Sequence, residues 1–356
     1  MCETKLQIVV LAGGSGTRFW PVSRRERPKQ LLEINGKTLL ASTFERVRRL
    51  GPPSNWWMVV GDDHAERCRA TVPEVPVSHV LVEPARRNTA SAIALAAVHI
   101  AESDPDAVMA VFPADHMVRD TKRLCDALER AARRAKDGAI VTLGITPTHP
   151  ETGYGYIQRR GSANEVGGYG VARFVEKPDR QGAEALLSGQ DVYWNAGIFV
   201  MRVDVFCHAL AEHQPEIDAA MAKIVKSIGS NYEATLAACY EELPKISVDH
   251  GIMEFANNVE VVPVDCGWSD IGTWTAFAEL FGVDDAGNRS QGRAVLLDSR
   301  DCIVHVGDGH AVATLGVRGL VVVHTKDATL VVSADRVQEV GKIVDALKER
   351  QWSEYL

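Results

Sequence analysis

The chain has 356 residues, 46% hydrophobic and 24% charged, with 39 Lys and Arg against 47 Asp and Glu and a net charge of −8. That composition is ordinary for a globular protein, and without a Lys/Arg block it argues against a nucleic-acid polymer as partner. No apolar run approaches the roughly 18 residues that span a bilayer, and "MCETKLQIVV" lacks the order of a secretory signal, so a cytoplasmic protein with no membrane partner is expected.

Taken from the N-terminus, "LQIVVLA" reads as a buried strand. The glycine-rich "LAGGSGTRFWPVSRRERPKQ", Leu11 to Gln30, leads out of it. A helical pattern follows over Leu39 to Leu50. The strand-like "NWWMVVG" and "SHVLVE" come next, the second running into "EPARRNTA" and a helix over Ala90 to Ala101. Then come "AVMAVFP" with "PADH" at its end, a helix over Arg123 to Lys136, and "AIVTLGI". Short β-branched runs alternating with helices predict an α/β fold, with parallel strands covered on both faces. Ligands in such folds bind beyond the carboxyl ends of strands. The glycine loop, "EPARRNTA" and "PADH" all fall there.

Residues 150 to 280 are less regular and carry "TGYGYI", "RFVEKPD", "YWNAGIFVM" and "DCGWSDIGTW". They read as excursions from the main sheet that close over a second substrate. Residues 281 to 292, "FGVDDAGNRSQG", read as a linker. Five short strands spaced by Gly, Asp and His turns then predict a small all-β module. A last helix from Asp335 to about Arg350 aligns Val337, Val340, Val344 and Leu347 on one face. The expected division is 1–282 and 283–356. Seven cysteines, at 2, 68, 125, 207, 239, 266 and 302, include no Cys-x-x-Cys pair. They read as small apolar residues rather than as a disulfide framework or a zinc site.

The opening loop matches neither common phosphate pattern. Gly16 is followed by Thr17-Arg18 instead of Lys-Ser/Thr, and Phe19 stands where a dinucleotide loop needs glycine. What remains is a glycine turn whose N–H groups can approach phosphate oxygens without a Cβ in the way. Arg18 adds a planar fork and Lys29 a second cation. A plain turn with solvated cations is the alternative, and the two cations in one segment weigh against it.

The segment "LAGGSGTRFWPVSRRERPKQLL" resembles the signature of the sugar-1-phosphate nucleotidylyltransferase family. Its "FWP" and "PKQLL" are most similar to members that use GTP and mannose 1-phosphate. The resemblance continues in order through "EPARRNTA", "FPADH", "TGYGYI", "FVEKP", "WNAGIF" and "GWSDIGTW", over nearly the whole chain. It implies a Rossmann-like nucleotide-diphospho-sugar transferase domain with a mixed, mainly parallel sheet, followed by a small left-handed β-helix-like module. It also implies a single activity, since bifunctional relatives carry a further isomerase domain. A homodimer through the β module is the expected assembly.

The resemblance implies that Leu11, Ala12, Gly13, Gly14, Ser15, Gly16 and Thr17 bind the nucleotide, with Arg18, Lys29 and Lys177 as catalytic cations. Mg²⁺ would be held by Asp115 and Asp270, with Asp265 a weaker candidate. Read alone, Asp115 is equally a turn or cap aspartate, and His116 a structural hydrogen-bonding histidine. Glu83 suits guanine, whose N1–H and N2 amino group present two donors that one carboxylate can accept. Asn88 and Thr89 can cap the following helix and leave its N-terminus aimed at an anion. Arg86 and Arg87 read as surface cations.

On the sugar-phosphate side the resemblance implies Glu176 and Lys177, Asn195 and Gly197, and the loop Gly153, Tyr154 and Gly155. Taken by themselves "EKP" is an ordinary exposed turn and Tyr154 a packing residue. The implied reaction is GTP plus mannose 1-phosphate giving GDP-mannose and pyrophosphate. A phosphate monoester with a second pKa of about 6 is already largely dianionic, so no general base is needed. The rival readings are another hexose 1-phosphate or nucleotide, a non-catalytic sensing subunit, and a glycosyltransferase. Uracil and thymine offer Glu83 only one ring donor. A sensor need not keep metal carboxylates, and the "DPD" at 104–106 sits in a polar loop.

Overall fold

A computed structural model describes residues 5–14, 16–34, 36–189, 191–307 and 309–356. Ser15, expected to bind nucleotide, and Cys2 lie outside the described residues. The chain forms two compact units. One holds residues 1–13, 40–114 and 118–268, and the other 14–39, 115–117 and 269–356.

The first unit is built on nine strands: β1 Gln7–Leu11, β2 Trp56–Gly61, β3 Val80–Glu83, β4 Val108–Pro113, β5 Ile140–Ile145, β6 Tyr156–Arg160, β7 Tyr169–Val175, β8 Val192–Arg202 and β9 Val259–Pro263. Their spatial order is β3-β2-β1-β4-β8-β5-β9-β7-β6. β1, β2, β3 and β4 pair in parallel, as do β5 and β9. β8 runs against β4, β5 and β6, and β7 runs against β9 and β6. The sheet is therefore mixed, with only β7 and β8 reversed. The five apolar runs read as strands in the first half are β1 to β5. Three of the four segments expected to leave the sheet, "TGYGYI", "RFVEKPD" and "YWNAGIFVM", run into β6, β7 and β8 instead, while "DCGWSDIGTW" stays outside the nine strands. β8, carrying "WNAGIFVM", lies between two central strands, because its continuous apolar run can be buried on both faces.

Helix Thr89–Ala101 is almost wholly apolar and buried. Its side chains share a core with those of Val203–His213, Pro215–Lys226 and Tyr232–Glu242. Helix Thr121–Lys136 is amphipathic and is capped by Asp120, which accepts the N–H of Arg123. No helix among the described residues is long and apolar enough to cross a membrane.

The second unit does not follow chain order. Phe19 and Trp20 from the opening loop, with Leu32 and Leu39 after it, share a core with Ile271, Trp274 and Phe277. That core continues through Val321, Val323, Val337, Val340, Val344 and Leu347. Compactness therefore divides the chain differently from a linear boundary at 282/283. Residues 281–292 are an ordered turn rather than a free linker: Asp284 Oδ1 accepts N–H groups of Ala286 and Asn288.

The tail coils as a parallel β-helix. Ala294 pairs with Val312, Arg300 with Arg318, and Ile303 with Val321, a constant offset of eighteen residues on three ladders. The last expected helix is divided. Ala334–Val340 is a run of 3₁₀ turns, and the α-helix begins only at Gly341, a poor residue for a helix interior. All four aligned apolar residues are nonetheless buried.

Candidate functional site

The phosphate loop takes its shape from one close approach. Gly16 has φ +62°, and a Cβ there would stand 2.5 Å from Lys29 Cβ and 2.9 Å from Lys29 N. Only glycine brings these two backbones together. Lys29 is 7% exposed. Its Nζ donates to Asp115 Oδ2 at 2.8 Å and to the Asp270 carbonyl at 2.6 Å. The cation expected to serve the triphosphate is thus already held by the two segments expected to bind metal. An ammonium has three N–H donors, which leaves one for a ligand. Arg18 is exposed and makes no hydrogen bond or ion pair among the described residues.

Burial pushes the pKa of Asp115 up. The charges of Lys29 and His116, with the Lys29 hydrogen bond, outweigh that and hold it below the usual carboxylate range. His116 Nε2 stands 4.0 Å from Asp115 Oδ1, consistent with a supporting histidine. Asp270 accepts the Gly272 N–H at 2.8 Å, and a Cβ on Gly272 would lie 2.6 Å from Asp270 Oδ2. Ile271 holds φ +44°, a strained setting for a β-branched residue. Two hard carboxylates fit Mg²⁺, which keeps waters and phosphate oxygens for its remaining positions. No cluster of three ligating side chains occurs among the described residues, so an all-protein cage is not built here. Asp265 is 88% exposed and faces Arg123.

In the first unit, Leu11, Ala12 and Gly13 continue β1. Ala12 donates to Val59 O at 2.7 Å, and Leu11 O accepts from Ala114. A Cβ on Gly13 would stand 3.4 Å from Glu83 Oε2. Glu83 ends β3, 6% exposed, and its Oε1 has no hydrogen-bond partner among the described residues. Burial raises its pKa to about 7, against opposing contributions from Tyr240 and Arg86. A buried carboxylate oxygen without a donor is costly unless a ligand supplies one.

Asn88 lies at φ 70° and accepts the N–H of Thr89 at 2.8 Å. The helix terminus behind it is not open to an anion as expected. Ala90 N–H bonds Ile246 O, and Thr89 Oγ1 accepts the N–H of Val248 at 2.9 Å. Arg87 bonds the Glu241 carbonyl, and Arg86 stands 4.0 Å from Asp63.

On the sugar side, Glu176 is 8% exposed and pairs with Lys177, itself at φ 46°. A Cβ on Gly155 would lie 2.4 Å from Glu176 Oε2 and 3.3 Å from Asn195 Cβ. Gly155 therefore lets the three residues come together. Gly153 N–H bonds Glu151 Oε1. Tyr154 stands edge-on between Trp194 and Trp268, at 5.1 and 5.2 Å, in a packing role. Asn195 Oδ1 accepts from Thr142 Oγ1 at 2.8 Å and from Gly197 N–H at 3.1 Å. Its Nδ2 donates to Asp249 Oδ1 at 2.9 Å.

Sequence reasoning missed Asp249. It opens a π-helical turn, Asp249–Met253, a form enriched at functional sites. Burial, then the Glu176 charge, raises its pKa to about 6. The only sequence signal is a lone Asp in "SVDHG", and nothing in its spacing links it to "EKP" or "WNAG".

The chain matches the Nucleotidyl transferase family over residues 7–285 and the MannoseP isomerase/GMP-like beta-helix domain over 292–347. Fold and site thus define a nucleotidyl transferase with a β-helix module. A mannose-1-phosphate guanylyltransferase of Klebsiella pneumoniae is 39% identical over 98% of this chain and 75% of its own length. One from Escherichia coli matches with the same identity and coverage. A crystal structure from Thermus thermophilus, described as a mannose-1-phosphate geranyltransferase, has TM-score 0.85 at 37% identity. That match covers 97% of this chain and 99% of the other. The chain belongs to the mannose-1-phosphate guanylyltransferase family.

Proposed function

We propose that the chain transfers GMP from GTP to mannose 1-phosphate, releasing GDP-mannose and pyrophosphate. The observation that carries this reading is the contact chain Gly16, Lys29, Asp115 and Asp270. It joins a glycine turn able to hold phosphate to the Asp115 carboxylate and to the main-chain carbonyl of Asp270. Gly14, Gly16 and Thr17 bind the triphosphate, and the exposed fork of Arg18 takes the charge that builds on the leaving pyrophosphate. Glu83 accepts the guanine donors on its unpartnered oxygen. Lys177 offers a point charge to the sugar phosphate, and Glu176 accepts its hydroxyls. The attacking phosphate oxygen is already ionised, so the residues position and neutralise rather than abstract a proton. Asp115 and Asp270 would hold Mg²⁺, which supplies Lewis-acid neutralisation of phosphate charge when bound.

The expected homodimer is supported by apolar side chains left outside the β-helix: Val295, Leu297 and Leu315 are each more than half exposed, and Leu297 pairs with Leu315. Leu297→Asp with Leu315→Asp is expected to yield monomers by light scattering; an unchanged mass removes this face from the assembly. The reaction is tested by a matrix of GTP, ATP, UTP and dTTP against mannose, glucose and fucose 1-phosphates, with and without Mg²⁺, reading pyrophosphate. Release is expected with GTP, mannose 1-phosphate and Mg²⁺, and its absence there sinks the proposal.

A further inference from the structure

Asp249 is held as a ligand-reading carboxylate is held. The Gly197 N–H fixes Asn195 Oδ1 as the acceptor side of its amide, with Thr142 Oγ1 as a second donor. The amide orientation is therefore determined, and Nδ2 must face Asp249 Oδ1 at 2.9 Å. Gly197, at φ +64°, makes the turn that brings its N–H back to Asn195. From the other direction, Val248 N–H is bonded to Thr89 Oγ1, and Ala90 N–H to Ile246 O. These contacts anchor the turn that carries Asp249 to the start of helix Thr89–Ala101. Asn195 is 9% exposed, and its carbonyl is fully used by protein donors. Much of its work is therefore positional. Asp249 is half-buried, and its carboxyl group lies within electrostatic reach of Glu176 and Lys177.

We propose that Asp249, oriented by Asn195, accepts a hydroxyl hydrogen of the sugar 1-phosphate and is a specificity-determining residue of the transfer. This rests on the sugar-1-phosphate reading given above. Two carboxylates brought close together are repulsive unless a ligand donates to them. A pyranose supplies adjacent hydroxyl donors, and Lys177 supplies the charge for the phosphate that comes with them. A site built to hydrogen-bond a hydroxyl rejects analogues that lack it far more strongly than an apolar pocket does.

The test compares the parent protein, Asp249→Asn and Asn195→Ala on mannose 1-phosphate and its 2-, 3-, 4- and 6-deoxy analogues, with GTP saturating. Asp249→Asn keeps the shape and is expected to lower kcat/KM for mannose 1-phosphate about 10- to 100-fold, the range for losing a hydrogen bond to a charged group. KM for GTP and the melting temperature should stay close to parental. For one deoxy analogue the difference between parent and variant should collapse, because the hydroxyl that Asp249 accepts is already missing. Asn195→Ala should show the same analogue dependence more weakly. Equal losses on every analogue, or an unchanged kcat/KM, overturn the assignment. A parent protein inactive on GTP and mannose 1-phosphate overturns the underlying reaction instead, so the two failures are distinguishable.

Discussion

Replacing Gly16 by alanine tests whether the phosphate loop is built around its contact with Lys29. The new methyl would lie 2.5 Å from Lys29 Cβ and 2.9 Å from Lys29 N, closer than the 3.0 Å that Cβ atoms respect. Because one of those atoms is backbone, no side-chain rotation relieves the overlap. The loop and the Lys29 segment must part. Left-handed φ costs a non-glycine residue about 1–2 kcal/mol, and overpacking adds about 1–3 kcal/mol. Displacement by about an ångström at a reacting group costs on the order of 10²-fold in rate. Gly16→Ala should therefore melt several degrees lower and release pyrophosphate about 10²-fold more slowly. Gly14→Ala is the internal control. A Cβ there meets nothing within 4 Å, and its φ is not positive. It should melt like the parent while KM for GTP rises about 10-fold, since only an approaching phosphate would meet the methyl. Parental melting and turnover in Gly16→Ala would refute the reasoning.

Arg18→Ala should lower turnover by about 10²–10³ with no change in melting temperature, because the side chain has no partner to lose among the described residues; a stability loss in calorimetry would assign it a structural role. Asp115→Asn should lower turnover similarly and also lower the melting temperature. It leaves the Lys29 ammonium buried without its carboxylate, a stronger effect on the fold than the sequence alone suggests. A Mg²⁺ titration of pyrophosphate release in this variant should no longer reach the parental plateau. Glu83, raised from 4.5 to about 7 by burial, keeps its proton longer in the folded state than in the unfolded one. Its contribution to stability is full below pH 4.5 and is lost as pH rises through about 7. Glu83→Gln should remove that part of the slope of melting temperature against pH and weaken selection for GTP over UTP; identical slopes in parent and variant would contradict the assignment.

Much of this was legible from the chain. β1 to β5 announced themselves as continuous β-branched runs, because strands buried on both faces need no polar alternation. β8 carries an apolar run too, but antiparallel strands inserted among parallel ones carry no local mark of their neighbours, so the places of β7 and β8 in the sheet were not readable. The loop's glycines and Arg18 were readable as phosphate chemistry. That Lys29 would sit on Asp115 was not, because that bond joins residues 86 positions apart. Asn88 and Thr89 were readable as a cap, but the partners that close the terminus, Ile246 and Val248, come from a segment with no distinctive pattern. Asp249 was invisible for the same reason. Its setting is made by Asn195, Thr89 and Glu176, each from a different part of the chain.

The core beneath the phosphate loop has a consequence for the order of synthesis. Trp20 Nε1 donates to Tyr355 O at 2.8 Å, Trp274 Nε1 donates to Trp20 O, and Phe19 packs against Trp274 and Phe277. Trp20 thus takes part of its support from residues 335 and 254 positions further along the chain, made well after it on the ribosome. During translation the nine-stranded sheet can assemble before the loop has its final floor, since domains fold as their chain emerges. The nascent protein would then acquire phosphate chemistry late, when the tail closes under the loop, and an exchange of tails between relatives would alter the reaction centre itself.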